Sequence, residues 1–96
     1  MAQNMRTEAV ERLLDAFASL DDPDDVYAFL LDVCTIREMQ DMSQRLSVAH
    51  MLEEGQSYIA IQEKTGASAT TISRVSKALN YGADGYRTVL ERVDFD

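Results

Sequence analysis

The sequence predicts an all-α fold of about six helices. Apolar residues recur at spacings of three and four along the chain, and no segment alternates apolar and polar residues as a strand would. Capping and turn residues fall at the ends of these periodic segments, where helices begin and end. The 96 residues, 46 % of them hydrophobic, suit a single domain at residues 1–96, and a helical chain this short often completes its core by dimerising.

Two helices are predicted in the first third of the chain. The apolar face of the first consists of Val10, Leu13, Leu14, Phe17 and Leu20. Asp22 can cap the second helix, and Pro23 suits its first position because proline lacks the N–H that would be unpaired there. The apolar face of the second helix consists of Val26, Phe29, Leu30 and Val33.

A longer third helix follows. Thr35 and Glu38 form a capping-box pattern, so we expect the helix to begin at Thr35, and Gly55 to end it. Its apolar residues are Ile36, Met39, Met42, Leu46, Ala49 and Leu52.

The next two helices are short and are separated by Gly66. Ser57 caps the fourth helix, which ends at Thr65, and Ser68 caps the fifth, which runs through Leu79. A short helix, a glycine turn and a second helix predict a helix-turn-helix at residues 57–80. The side chains expected between its two helices are those of Ile61, Ala67, Ile72 and Val75. A sixth helix at residues 84–94 carries Tyr86, Val89, Leu90 and Val93.

Charge is distributed unevenly along this acidic chain. Residues 1–56 carry four Arg and 12 acids (−8), residues 57–83 carry three bases and one acid (+2), and residues 84–96 carry two Arg and four acids (−2). The one positive segment contains the predicted helix-turn-helix. Because salt screens charges beyond about 8–10 Å, the local sign decides whether a surface can approach phosphate.

The outward face of the fifth helix has the composition of a DNA recognition helix. It consists of Ala69, Thr70, Ser73, Arg74 and Lys77. Small side chains near its N-terminus let a helix enter the major groove, and Thr70 and Ser73 can contact base edges. Arg74 and Lys77 can hold phosphates.

Other function classes lack the residues they need. Cys34 is the only cysteine, which excludes an internal disulfide and a cysteine-based zinc site. His50 is the only histidine, which leaves no His pair for a metal and no partner for nucleophilic catalysis. We therefore expect no catalytic residues, no metal site, no cofactor and no enzymatic activity. No apolar run approaches the roughly 20 residues of a membrane span, and no signal peptide is present, so we expect a cytoplasmic protein that does not bind membranes.

The segment from Thr35 to Leu79 resembles the Trp repressor superfamily, and most closely the YerC/YecD group of small bacterial helix-turn-helix proteins. It consists of TIREMQDMSQRLSVAHMLEEG at residues 35–55 and SYIAIQEKTGASATTISRVSKAL at residues 57–79, joined by Gln56. The most specific part is Gly66 and Ala67 followed by residues 69–74, preceded by a long helix with Arg45. The resemblance implies an intertwined homodimer in which residues 1–56 form an acidic helical dimerisation core. Its two recognition helices would enter successive major grooves, about 34–36 Å apart, on a near-palindromic site.

The resemblance also implies roles for single residues. Together with the outward face, it gives a predicted DNA-binding set of Tyr58, Ile59, Gln62, Ser68, Ala69, Thr70, Ser73, Arg74 and Lys77. Arg45, Thr71 and Arg74 match positions that line the tryptophan corepressor pocket. However, Val75 and Ala78 stand where the repressor has a glycine and a serine, and the added bulk of Val75 predicts a pocket too crowded for an indole ring. We therefore expect an unknown small-molecule effector, or none, rather than tryptophan.

The function predicted from these patterns is a sequence-specific, homodimeric transcriptional regulator that binds double-stranded DNA, most simply a repressor. The alternative is a helical dimerisation or protein-interaction module that keeps the fold without binding an operator. The net charge of −8 favours the alternative, whereas the positive segment at residues 57–83 favours the DNA-binding regulator.

Overall fold

A computed structural model of the protein describes residues 5–95 and contains six α-helices and no β-strand within that range. The helices are α1 (Glu8–Ala18), α2 (Pro23–Val33), α3 (Ile36–Glu53), α4 (Tyr58–Thr65), α5 (Ala69–Tyr81) and α6 (Gly85–Arg92). The predicted all-α fold is confirmed. The chain divides into two compact units, Met1–Ile36 and Arg37–Asp96, and a single domain over residues 1–96 stays a prediction.

The helix ends follow local capping residues, with small differences from the prediction. The Asp22 side chain accepts a hydrogen bond from the Asp24 N–H at 2.9 Å, as expected at the start of α2. The α1 helix ends at Ala18, so Leu20 lies after the helix and not on its face. Helix α3 begins at Ile36, one residue after the predicted cap Thr35. Helix α6 ends at Arg92, which leaves Val93 as its C-cap.

The first unit contains α1 and α2, and neither helix has a fully buried side chain. Phe17 of α1 and Phe29 of α2 meet edge to face with ring centroids 5.1 Å apart. Large apolar side chains of both helices remain 40 % exposed or more, including Leu13, Leu14, Leu31 and Val33. The dimerisation role of this segment stays a prediction.

The second unit is built around the core of the predicted helix-turn-helix. Its buried side chains are Val48, Ala49, Ile61, Ala67, Ile72, Val75, Leu79 and Leu90. Ile61 and Ile72 are fully buried, and each buried side chain of this size contributes about 1.5–3 kcal/mol to stability. All four side chains expected between the two short helices are in this core. Helix α5 packs against both α4 and α6, and its buried residues Ile72, Val75 and Leu79 place its opposite face away from the core.

Candidate nucleic-acid interface

The turn between α4 and α5 is fixed by a left-handed glycine and by one threonine. Gly66 has a φ of 74°, a conformation that only glycine adopts without strain, and its N–H bonds the Gln62 carbonyl at 2.9 Å. The Thr65 hydroxyl donates to the Ile61 carbonyl at 2.7 Å and accepts from the Ala67 N–H at 3.1 Å. These bonds satisfy the backbone groups at the end of α4 and set the direction in which the chain leaves the turn.

A side chain of α3 also holds this turn. Gln44 Nε2 donates to the Thr65 carbonyl oxygen at 3.1 Å. The bond joins residues 21 positions apart and connects the long helix directly to the turn between the two short helices. Sequence patterns did not identify Gln44, because its partner is a main-chain oxygen and leaves no signal in residue types.

Serine caps begin both short helices, as predicted. The Ser57 hydroxyl accepts from the Ala60 N–H and the Ser68 hydroxyl accepts from the Thr71 N–H, each at 3.1 Å. The Ser68 hydroxyl also donates to Thr71 Oγ1 at 3.1 Å. The hydroxyl groups of Ser68 and Thr71 are therefore hydrogen-bonded to each other, and the Ser68 hydroxyl also caps the helix.

The five residues predicted for the outward face of α5 lie together along one shallow groove. Its lining consists of Ala69, Thr70, Ser73, Arg74 and Lys77, all of them exposed, around a volume of about 380 Å³. The other predicted contacts lie outside this groove. Ser68 is the exposed cap before the helix, and α4 carries Tyr58 and Ile59, which are exposed, and Gln62, which is half-buried.

The cations of α5 are not neutralised by carboxylates. Arg74 and Lys77 form no ion pair or hydrogen bond with any residue from 5 to 95. By contrast, Arg12 pairs with Glu8, and Arg87 lies 3.7 Å from a Glu53 oxygen. The positive charge of the groove is therefore available to an external anion such as a phosphate.

A second concave site adjoins the groove through Arg74. This cavity of about 300 Å³ is lined by Arg37, Asp41, Gln44, Arg45, Thr71 and Arg74. It brings together the three residues predicted for an effector pocket and adds residues that the resemblance did not indicate. Arg37 Nε lies 3.6 Å from Asp41 Oδ1, whereas Arg45 has no hydrogen-bond or ion-pair partner in the part of the chain that the structure describes.

The two residues used to argue against tryptophan do not line this cavity. Val75 is only 2 % exposed and belongs to the core, and Ala78 lines a separate, apolar cavity of about 520 Å³. The other residues of that apolar cavity are Leu46, Ala83, Gly85, Tyr86 and Val89. The exclusion of tryptophan stays a prediction, and any crowding by Val75 would have to act through the core beneath the cavity.

Among residues 5–95, no group of three or more His, Cys, Asp or Glu side chains could hold a metal ion. Over the same range, no helix is both long enough and apolar enough to cross a bilayer.

Comparisons with known proteins give a consistent set of relatives. A family model described as Trp repressor protein matches residues 8–94. The uncharacterized protein YerC of Bacillus subtilis (strain 168) is 47 % identical over 89 residues, which are 93 % of this chain and 86 % of YerC. A crystal structure of a TrpR-like protein from Eubacterium eligens ATCC 27750 is 56 % identical, with a TM-score of 0.88 over 92 % of this chain and 91 % of that one. A solved structure from Staphylococcus aureus is 42 % identical, with a TM-score of 0.87 over 92 % and 88 % of the two chains.

Proposed function

Because the chain belongs to the Trp repressor family, we propose that it is a sequence-specific transcriptional regulator that binds double-stranded DNA. Membership of this family supports a DNA-binding regulator in general. The finer proposal is a repressor that acts in the cytoplasm as a homodimer, by occupying a near-palindromic operator. It involves no chemical step, and its mechanism is steric and electrostatic.

One observation carries this proposal: Arg74 and Lys77 have no ion-pair partner among residues 5–95 and lie on the exposed face of a helix whose opposite face is buried. Ile72, Val75 and Leu79 anchor that opposite face in the core, so α5 is held rigidly while its polar face stays accessible. A rigid helix that presents small side chains followed by two cations fits the major groove and its bordering phosphates.

We assign the positioning of the protein on DNA to phosphate contacts and the reading of sequence to three short side chains. Arg74 and Lys77 bind phosphates, assisted by the N–H groups at the start of α5. Ala69, Thr70 and Ser73 face the base edges. The first residues of α4, Tyr58 and Ile59, contact the DNA backbone together with Gln62.

The net negative charge of the protein repels DNA except where the recognition helices contact it. A dimer carries 2 × −8 = −16 formal charges. If Arg74 and Lys77 of both chains neutralise four phosphates, the log–log slope of affinity against salt is about −3.6. Affinity should then fall about fiftyfold when salt rises threefold. Repulsion by the body should suppress non-specific binding.

The experiment that tests this function starts by selecting sequences from a random DNA library at moderate salt. The recovered operator is then used to compare wild type with an Arg74→Ala, Lys77→Ala double variant. The variant should lose affinity and salt dependence while sedimentation shows an unchanged dimer. A control with the same charge change, Arg12→Ala with Arg92→Ala, removes two exposed cations outside the groove and should keep most of the affinity.

The alternative function makes the opposite prediction in the same experiment. A dimerisation or protein-interaction module would form the dimer but select no DNA sequence, and both double variants would behave alike. A flat salt response would also contradict the regulator mechanism, because phosphate contacts necessarily release counterions.

We further propose that the cavity lined by Arg45, Thr71 and Arg74 is the site of a small-molecule effector other than tryptophan. Two unpaired guanidinium groups and a hydroxyl favour a ligand with an anionic group. Thermal-shift measurements against small carboxylates and phosphates test this, with tryptophan as the comparison. Arg45→Ala should abolish any shift, whereas a shift that survives this change places the ligand elsewhere.

A further inference from the structure

The first turn of α5 exposes methyl groups where many recognition helices expose long hydrogen-bonding side chains. Ala69 and Thr70 are the first two residues of α5, and both are exposed in the groove described above. The neighbouring hydroxyls of Ser68 and Thr71 are already engaged with each other and with the helix cap. The side-chain groups that Ala69 and Thr70 offer are therefore two methyl groups and the Thr70 hydroxyl.

The first turn of α5 lacks the side chains that usually recognise purines. Guanine is read by Arg or Lys and adenine by Asn or Gln, because these side chains form two hydrogen bonds with one base. The first such residue in α5 is Arg74, five positions after Ala69 and thus about 7.5 Å farther along the helix axis. In α4, Gln62 is half-buried. The tip of α5 thus has no side chain that can form a bidentate contact with a purine.

The major groove contains one apolar group that suits such a surface, the C5-methyl of thymine. We propose that the protein recognises thymine in each half-site by packing the methyl groups of Ala69 and Thr70 against this C5-methyl group. This inference rests on the proposed function and specifies which bases the operator must contain. Short side chains favour the contact, because they let the helix backbone approach the floor of the groove.

Uracil provides a direct probe, because deoxyuridine differs from thymidine only by the absence of this methyl group. Each thymine of the recovered operator is replaced in turn by deoxyuridine, and affinity is measured at constant salt. At one or two positions in each half-site, the replacement should weaken binding about fourfold, which corresponds to one methyl group buried from water. Changing both half-sites should weaken binding about sixteenfold.

Two substitutions of Thr70 separate its methyl group from its hydroxyl. Thr70→Ser removes the methyl from both copies in the homodimer and should weaken binding to the thymine operator about sixteenfold, with a smaller uracil effect than in the wild type because only the Ala69 methyl remains. Thr70→Val keeps a methyl and removes the hydroxyl, so it should retain affinity and the sensitivity to uracil. Thr88→Ser is the matched control, since Thr88 is an exposed residue of α6 whose hydroxyl bonds the Asp84 carbonyl.

The outcomes distinguish this inference from the function on which it rests. Full affinity for an operator in which every thymine is replaced by uracil would overturn methyl recognition while leaving DNA binding intact. So would loss of affinity in Thr70→Val with none in Thr70→Ser, because the hydroxyl would then be the reader. Failure to select any DNA sequence would refute the proposed function itself, at a step before uracil is introduced.

Discussion

Arg87 of α6 donates a hydrogen bond from Nη2 to Asn80 Oδ1 of α5, at 3.1 Å. The other guanidinium nitrogen, Nη1, lies 3.7 Å from Glu53 Oε2, at the last residue of α3. Asn80 in turn donates to the Ser76 carbonyl at 2.9 Å. One side chain therefore links the C-terminal ends of α3 and α5 to α6, at the end of the candidate recognition helix opposite its N-terminus.

Replacing Arg87 by alanine should lower the free energy of unfolding by about 1 kcal/mol. The value is modest because Arg87 and Glu53 are 43 % and 44 % exposed, so solvent weakens the pair. Urea denaturation measures the change. Arg92→Ala, the same substitution at an exposed position of the same helix, should change stability by less than about 0.5 kcal/mol. Equal effects of the two variants would show that the bridge contributes no stability.

The links made by Arg87 and Gln44 show where sequence-based prediction ends. Helix starts were predictable because a cap bonds its own next turn, as Ser57, Ser68 and Asp22 all do. Arg87 instead reaches Asn80 seven residues away, and Gln44 reaches a carbonyl 21 residues away. Such partners depend on how the helices cross, and helical periodicity carries no information about that.

The candidate site was also predictable from the sequence only in part. The outward face of α5 was predictable, because the buried positions Ile72, Val75 and Leu79 fix which residues must point away from the core. The cavity beside it was predicted only in part. Arg37 and Asp41 join it from one turn apart on α3, and helical periodicity carries no information about which side chain of α5 they lie beside.

Gly66 should tolerate asparagine better than alanine. A Cβ at this position would meet no atom within 4 Å, so the cost of a substitution comes from the left-handed backbone rather than from a clash. Alanine should therefore reduce stability by about 1 kcal/mol, and asparagine by less, because Asn adopts this conformation more readily. Chemical denaturation should rank wild type above Gly66→Asn and Gly66→Ala last. Equal loss in the two variants would contradict backbone strain as the cause.

The ion pair between Arg6, which precedes α1, and Glu11 of α1 should be lost in acid. Arg6 donates hydrogen bonds to the Glu11 carboxylate, one of them from Nη2 to Oε1 at 2.9 Å. These hydrogen bonds lower the pKa of Glu11 below its usual value of 4.5. A lowered folded-state pKa contributes stability above the unfolded pKa, and this contribution is lost as the pH falls through the folded value. A side-chain NMR titration should show Glu11 ionising below pH 4.5 in the wild type, and at higher pH in Arg6→Gln. An unchanged midpoint in Arg6→Gln would show that the pair does not persist in solution.

Two substitutions of Ser68 can distinguish its contribution to the stability of α5 from its effect on DNA binding. Ser68→Ala removes the acceptor of the Thr71 N–H and should cost about 1 kcal/mol of stability. Ser68→Asp should restore that stability, since aspartate caps equally well and its charge is favourable at a helix N-terminus. If this end of the helix faces phosphates, however, the new carboxylate should weaken operator binding much more than alanine does, most clearly at low salt. Thermal unfolding and DNA titration of the two variants should therefore rank them in opposite orders. The same order in both measurements would mean that the start of α5 does not lie against the DNA backbone.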